Sequence, residues 1–236
     1  MDWRGLSNMH RYAHTNSSMI RQNPLLQDYL YQVYGWMTCG LLLTAFVSWF
    51  AIHTPSVAGV LSSKKLVLTV MLLQFFVVST ISGVLEQLNS RVATMLFMFY
   101  SSLVGLTISS IVVFYTAASV SSDVVITAGI FVTISLYGYL TKQDLSVFHN
   151  LCEIGVIGVM SAYLVNIKLN SLNSFITYIS VILFVFLTAY ETQKLKTIYK
   201  NVNLNNQDQM RRYSIIGAMG IYLDFINFFM ISLLIL

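Results

Sequence analysis

Seven apolar stretches, at 29–52, 66–85, 92–115, 124–140, 151–167, 173–193 and 213–236, constrain this chain more than any other feature. Each is close to the ~20 residues that a helix needs to cross ~30 Å of hydrocarbon, at about 1.5 Å per residue. The alternative, one large soluble core, fails on charge. Only 9% of the 236 residues are charged, whereas a soluble domain carries about 25%. So few charges cannot cover a water-exposed surface. The expected fold is therefore an all-α membrane protein with seven transmembrane helices over 29–236, preceded by a short solvated polar tail over 1–28. Pro24 and Pro55 both fall outside the apolar stretches, leaving their interiors free of the residue that breaks helices.

The basic residues set an expected orientation. Arg4, Arg11 and Arg21 in the tail share a side with Arg91, Lys142, Lys194, Lys196, Lys200, Arg211 and Arg212, ten in all. The opposite side holds three, Lys64, Lys65 and Lys168. The positive-inside rule then puts the amino terminus in the cytosol and, with seven spans, the carboxyl terminus outside. The net charge of +4 is accounted for as loop charge of this kind, and no nucleic-acid partner is expected. Cys39 and Cys152 both sit in apolar stretches and form no disulfide framework. The first 28 residues lack the apolar core of a cleavable signal peptide, so the first span is expected to serve as the targeting signal. Small residues four apart, Gly158 with Ala162 and Ser214 with Ala218, suit close helix packing.

Six of the nine acidic residues are expected in the tail, in loops or at span ends: Asp2, Asp28, Glu86, Asp123, Asp144 and Asp208. Glu153, Glu191 and Asp224 lie in or beside apolar stretches. An intramembrane carboxylate costs several kcal/mol unless it is paired or hydrated, which makes these three functional candidates. Asp224 lies about 16 Å into the last stretch, near the midplane, with Asn227 three residues on and able to share its helical face. Glu191 stands where the sixth stretch meets a basic loop, with Lys194 and Lys196 in reach as ion-pair partners. Glu153 opens the fifth stretch, where a carboxylate suits a helix amino terminus. Should Glu191 and Asp224 meet, their titrations couple and their oxygens become hard ligands suited to Ca²⁺.

Four segments carry a family resemblance. These are Tyr34-Gly-Trp-Met-Thr-Cys-Gly-Leu-Leu-Leu-Thr44, Ser135-Leu-Tyr-Gly-Tyr-Leu-Thr-Lys-Gln-Asp-Leu-Ser146, Thr188-Ala-Tyr-Glu-Thr-Gln-Lys194 and Tyr222-Leu-Asp-Phe-Ile-Asn227. Through them the chain resembles the transmembrane Bax inhibitor motif family, the Bax inhibitor-1-like proteins. The resemblance implies a seven-helix fold whose last helix is central and wrapped by the other six. It also implies a pH-sensitive Ca²⁺ leak, in which facing acids of the sixth and seventh helices act as sensor and gate. Those positions fall on Glu191 and Asp224; the family more often has Asp at the first, so the added methylene changes the geometry of the pair. A basic residue near the second-to-third turn closes the cytosolic end in the family, and Arg91 is the nearest match. The chain shows neither the basic carboxyl-terminal tail nor the long proline-rich amino-terminal tail of eukaryotic relatives, so it looks like a bacterial inner-membrane member.

Two functions follow as expectations. The first is a calcium leak channel gated by protons at the carboxylate pair, with Ca²⁺ as permeant ion and no cofactor. The second is a membrane-embedded regulator that binds another membrane protein, a protease or a stress or cell-death factor, through the tail or the Lys194–Arg212 loop. Catalysis is not expected: GxSxG, HExxH, GxGxxG and P-loop patterns are missing, and His10, His14, His53 and His149 lie in the tail, loops or span ends.

Overall fold

The computed structural model describes residues 3–57, 69–70, 72–74, 76–78, 89–147, 150–152, 154–155, 158, 173–201 and 206–233. Among these residues there are five long helices and no strand: α1 (Trp3–His53), α2 (Ser90–Val112), α3 (Ala117–Leu140), α4 (Asn173–Asn201) and α5 (Gln207–Leu233). Each contains a segment long and apolar enough to cross a membrane, beginning at Leu25 in α1 and covering all of α2, α3 and α5. They correspond to the first, third, fourth, sixth and seventh apolar stretches. The stretches 66–85 and 151–167 lie mostly outside the described residues.

Several boundaries differ from expectation, and α4 runs past 193 to Asn201 while α5 starts at Gln207, so Lys194, Lys196, Lys200, Arg211 and Arg212, expected in a loop, are helical. The first helix begins at Trp3 and continues through Pro24, so the polar segment runs into the first span as one helix. Polarity kept these residues out of the apolar stretch, but Arg, Gln, Leu and Met are good helix formers whatever the solvent. The helix stops at His53, with Thr54 outside it, because the ring of Pro55 disfavours the α region for the residue before it. The fourth span is longer than 124–140, running over the 24 residues from Ala117. Its polar start is stable as helix because Thr116 caps it, accepting a hydrogen bond from the Ser119 amide at 3.1 Å. Ser121 and Ser122 then return their hydroxyl protons to the Ala118 carbonyl. This places Asp123 inside α3 and buried, not in a loop. The last helix also begins early: Asn206 Oδ1 accepts from the Asp208 amide at 2.9 Å, and Asp208 lies in the first turn, where its charge suits the helix dipole.

The outer surface is that of a membrane protein. Phe46, Met95 and Val125 are 61%, 71% and 71% exposed, far beyond isolated surface apolars, and Leu42, Trp49 and Phe76 share that surface. Inside, α5 touches all four other described helices. It is also the most enclosed: 67% of its most apolar segment is buried, against 17–50% for the others. Small residues permit this approach, since lipid tails supply no hydrophobic drive between helices. Ser214 and Ala218 are fully buried on α5, whereas Ala162 lies outside the described residues. On α2, a Cβ at Gly105 would stand 2.7 Å from the Thr44 carbonyl oxygen, so α1 and α2 cross backbone to backbone.

Candidate functional site

The four motif segments pair off in space. Thr44 of α1 donates its hydroxyl proton to the Ser101 carbonyl at 3.0 Å, and Tyr222 of α5 therefore donates to Thr44 Oγ1 at 2.6 Å. Phe97 and Tyr100 of α2 meet the Tyr222 ring edge-on, with centroids 5.5 and 6.2 Å away. Three helices are thereby locked together two residues before Asp224. The other two segments clasp through Gln193 of α4. Its Nε2 donates to the Gln143 carbonyl at 2.6 Å, and its Oε1 accepts from the Leu145 amide at 2.9 Å, pinning the loop that follows α3. Lys196 adds a hydrogen bond to the Tyr139 carbonyl and stacks over the Tyr139 ring at 4.9 Å.

Between these clamps lie the two expected acids. Asp224 is 7% exposed, and its Oδ2 has no hydrogen-bond partner among the described residues. Glu191 pairs with Lys194 one turn along α4, at 2.9 Å, so of the two expected lysine partners it takes Lys194 while Lys196 goes to Tyr139. The other carboxylate oxygen of Glu191 faces Gly220 of α5, 3.0 Å from where a Cβ would stand. Gly220 precedes Asp224 by one turn, about 6 Å along the axis. Glu191 and Lys194 both lie within electrostatic reach of Asp224. Tyr29 of α1 places its hydroxyl against Gly217, 3.1 Å from where a Cβ would stand. The acids thus approach with a one-turn offset, Glu191 on the side of the α5 amino terminus. α5 starts at Gln207, and the missing side chain at Gly220 is what lets Glu191 approach it.

The remaining sequence-derived residues are more dispersed. Asn227 is exposed and does not share the buried face of Asp224, because three residues carry it about 60° around the helix and off the interface. Arg91 is exposed in the first turn of α2. Its neighbour Ser90 makes the interhelical contact there, donating to Asp208 Oδ1 of α5 at 2.5 Å. Glu153 lies outside the described residues. Among those described, no three His, Cys, Asp or Glu side chains gather as a metal cluster, so an ion at Asp224 would rely on few carboxylates and on other oxygens.

Reading by sequence missed Asp123, whose Oδ1 accepts from Ser232 of α5 at 2.5 Å. The signal was available: Asp123, Thr127, Phe131 and Ser135 recur every four residues, and all are buried on one face of α3.

The model for the family described as "Inhibitor of apoptosis-promoting Bax1" matches residues 26–236. "Inner membrane protein YbhL" of Escherichia coli (strain K12) is 47% identical over 221 residues, covering 92% of this chain and 94% of that protein. A protein of Borreliella burgdorferi is 35% identical, covering 89% of this chain and 92% of its own. One from Deinococcus radiodurans is also 35% identical, covering 97% and 96%.

Proposed function

The chain belongs to the Bax inhibitor-1-like family, and from that membership and the geometry above we propose that it is a pH-sensitive calcium leak, gated at Glu191 and Asp224. It is an integral membrane protein. In this reading it sits in a bacterial inner membrane, as the name of its Escherichia coli relative states for that protein. Seven helices span the bilayer, the last central among the other six, with the amino terminus in the cytosol and the carboxyl terminus outside. The protein acts by conducting ions and not by catalysis.

One observation carries the reading: Asp224 is buried on the most enclosed helix, with an unpartnered carboxylate oxygen, within electrostatic reach of Glu191 and Lys194. A buried carboxylate without a partner must hold a proton, a water or a cation. Glu191 is differently placed, being only partly buried and neutralised by Lys194. The pair therefore has one solvated member and one dry member, and uptake of a proton from water by the pair changes the charge facing the ion path. Ionised, the two offer hard oxygens to Ca²⁺. Protonated, they no longer bind it and leave the Lys194 ammonium uncompensated to repel it, so conduction changes with pH.

The experiment is Ca²⁺ entry into liposomes across about pH 6–8, the range over which coupled carboxylates can titrate. The wild type is compared with Glu191→Gln and Asp224→Asn. An amide cannot titrate, so each variant is expected to lose the pH dependence. Unchanged pH dependence in Asp224→Asn removes that residue from the gate.

A further inference from the structure

A second buried carboxylate lies at the other end of α5. Asp123 of α3 is 1% exposed. Its Oδ1 is held by Ser232, while its Oδ2 is buried without a partner among the described residues. One turn along the same face, Thr127 is 0% exposed, and its hydroxyl is also unpartnered. Two buried polar atoms a turn apart in a helix interface, without partners among the described residues, are costly. Such atoms are usually compensated by something bound between them. Ser232 lies eight residues, about 12 Å, beyond Asp224, whereas Glu191 lies on the opposite side, at Gly220. Phe131 and Phe225 meet edge to face at 5.3 Å beside Asp224, so the Asp123 end of α5 begins beyond this apolar contact.

We infer that Asp123, Thr127 and Ser232 form a second cation station, a transient binding site for Ca²⁺ at the end of the pathway opposite Glu191. The inference rests on the leak reading for its place in conduction, but not for its chemistry. The donors are one carboxylate and two hydroxyls, all hard oxygens of the kind that Ca²⁺ takes. A single carboxylate makes the site weak, and a conducting pathway needs a site that is entered readily and left readily. The Phe131–Phe225 contact is then the apolar packing beside Asp224 that an ion moving between the two stations passes.

The test combines flux with a direct view of the carboxylate. Ca²⁺ entry into liposomes is measured for the wild type, Asp123→Asn, Thr127→Val and Ser232→Ala. In parallel, infrared difference spectra with and without Ca²⁺ are recorded on protein labelled with ¹³C at the aspartate carboxyls. Removing a charged ligand is expected to raise the half-saturating Ca²⁺ concentration about tenfold or more in Asp123→Asn, and the near-isosteric hydroxyl deletions to raise it a few-fold. The infrared change on adding Ca²⁺ should lose one carboxylate component in Asp123→Asn and keep the component of Asp224. Wild-type half-saturation in all three variants, with an unaltered spectrum in Asp123→Asn, overturns the station. Should the wild type conduct no Ca²⁺, the leak reading fails alone. The station then stands if the Asp123 component responds to Ca²⁺ and falls if it does not.

Discussion

Replacing Gly138 with alanine tests the packing that holds the candidate gate. A Cβ on Gly138 of α3 would stand 2.9 Å from both the carbonyl carbon and the Cα of Ala189 on α4, and closer still to the carbonyl oxygen. Ordinary contact begins at 3.4 Å, so the two helices must separate by at least the difference between 2.9 and 3.4 Å. The obstacle is backbone, which cannot rotate aside as a side chain can. Overpacking of this kind costs about 1–3 kcal/mol, and the alanine returns about 1 kcal/mol of helix propensity. The net expectation is a loss of up to about 2 kcal/mol. Gly129 on the same helix is the matched control, because a Cβ there meets nothing within 4 Å. Gly129→Ala should gain about 0.5–1 kcal/mol from propensity alone. Unfolding of both variants in one detergent should therefore move them in opposite directions from the wild type. Because Ala189 lies two residues before Glu191, Gly138→Ala should also alter flux. Equal stability of the two variants refutes the close α3–α4 crossing.

Two further outcomes are expected. Gly220→Ala places a methyl 3.0 Å from the Glu191 carboxylate oxygen, so that flexible side chain must retreat; the protein should fold normally while the pH midpoint of Ca²⁺ flux shifts, and an unmoved midpoint argues against Glu191 lying beside α5. Thr44→Val removes the 2.6 Å partner of fully buried Tyr222 and leaves its hydroxyl only the Ser101 side chain to turn to, and should cost about 1 kcal/mol, whereas Tyr222→Phe, which removes the donor itself, should cost less. Paired unfolding measurements check the order, and equal costs deny the bond.

Much of this arrangement was legible in the sequence because the bilayer restricts what an apolar stretch can be. Five of the seven stretches fall on described helices, and the prominence of Asp224 followed from the cost of placing a charge among apolar residues. Hydropathy was a poor guide to helix ends. It cut α3 short at its serines, whose hydroxyls bond to their own helix and so let polar sequence remain helical. That error hid Asp123. The offset of Glu191 from Asp224 was beyond reach for another reason: it depends on which residue of α5 has no side chain opposite α4, and Gly220 looks like any other helix glycine until the neighbouring helix is in place. Asn227 shows the limit of spacing arguments, since a three-residue step keeps two residues near one another without keeping both at an interface. The clamps made by Gln193 and Thr44 join segments 48 or more residues apart, and no local pattern announces them.

The central claim is that this protein passes Ca²⁺ under the control of protons. Purified protein reconstituted alone into liposomes with a trapped Ca²⁺ indicator, stepped through about pH 6–8, tests it most directly. Ca²⁺ entry above that of empty liposomes, with a rate that changes across the steps, is the predicted result. Entry no faster than in empty liposomes at every pH contradicts the account.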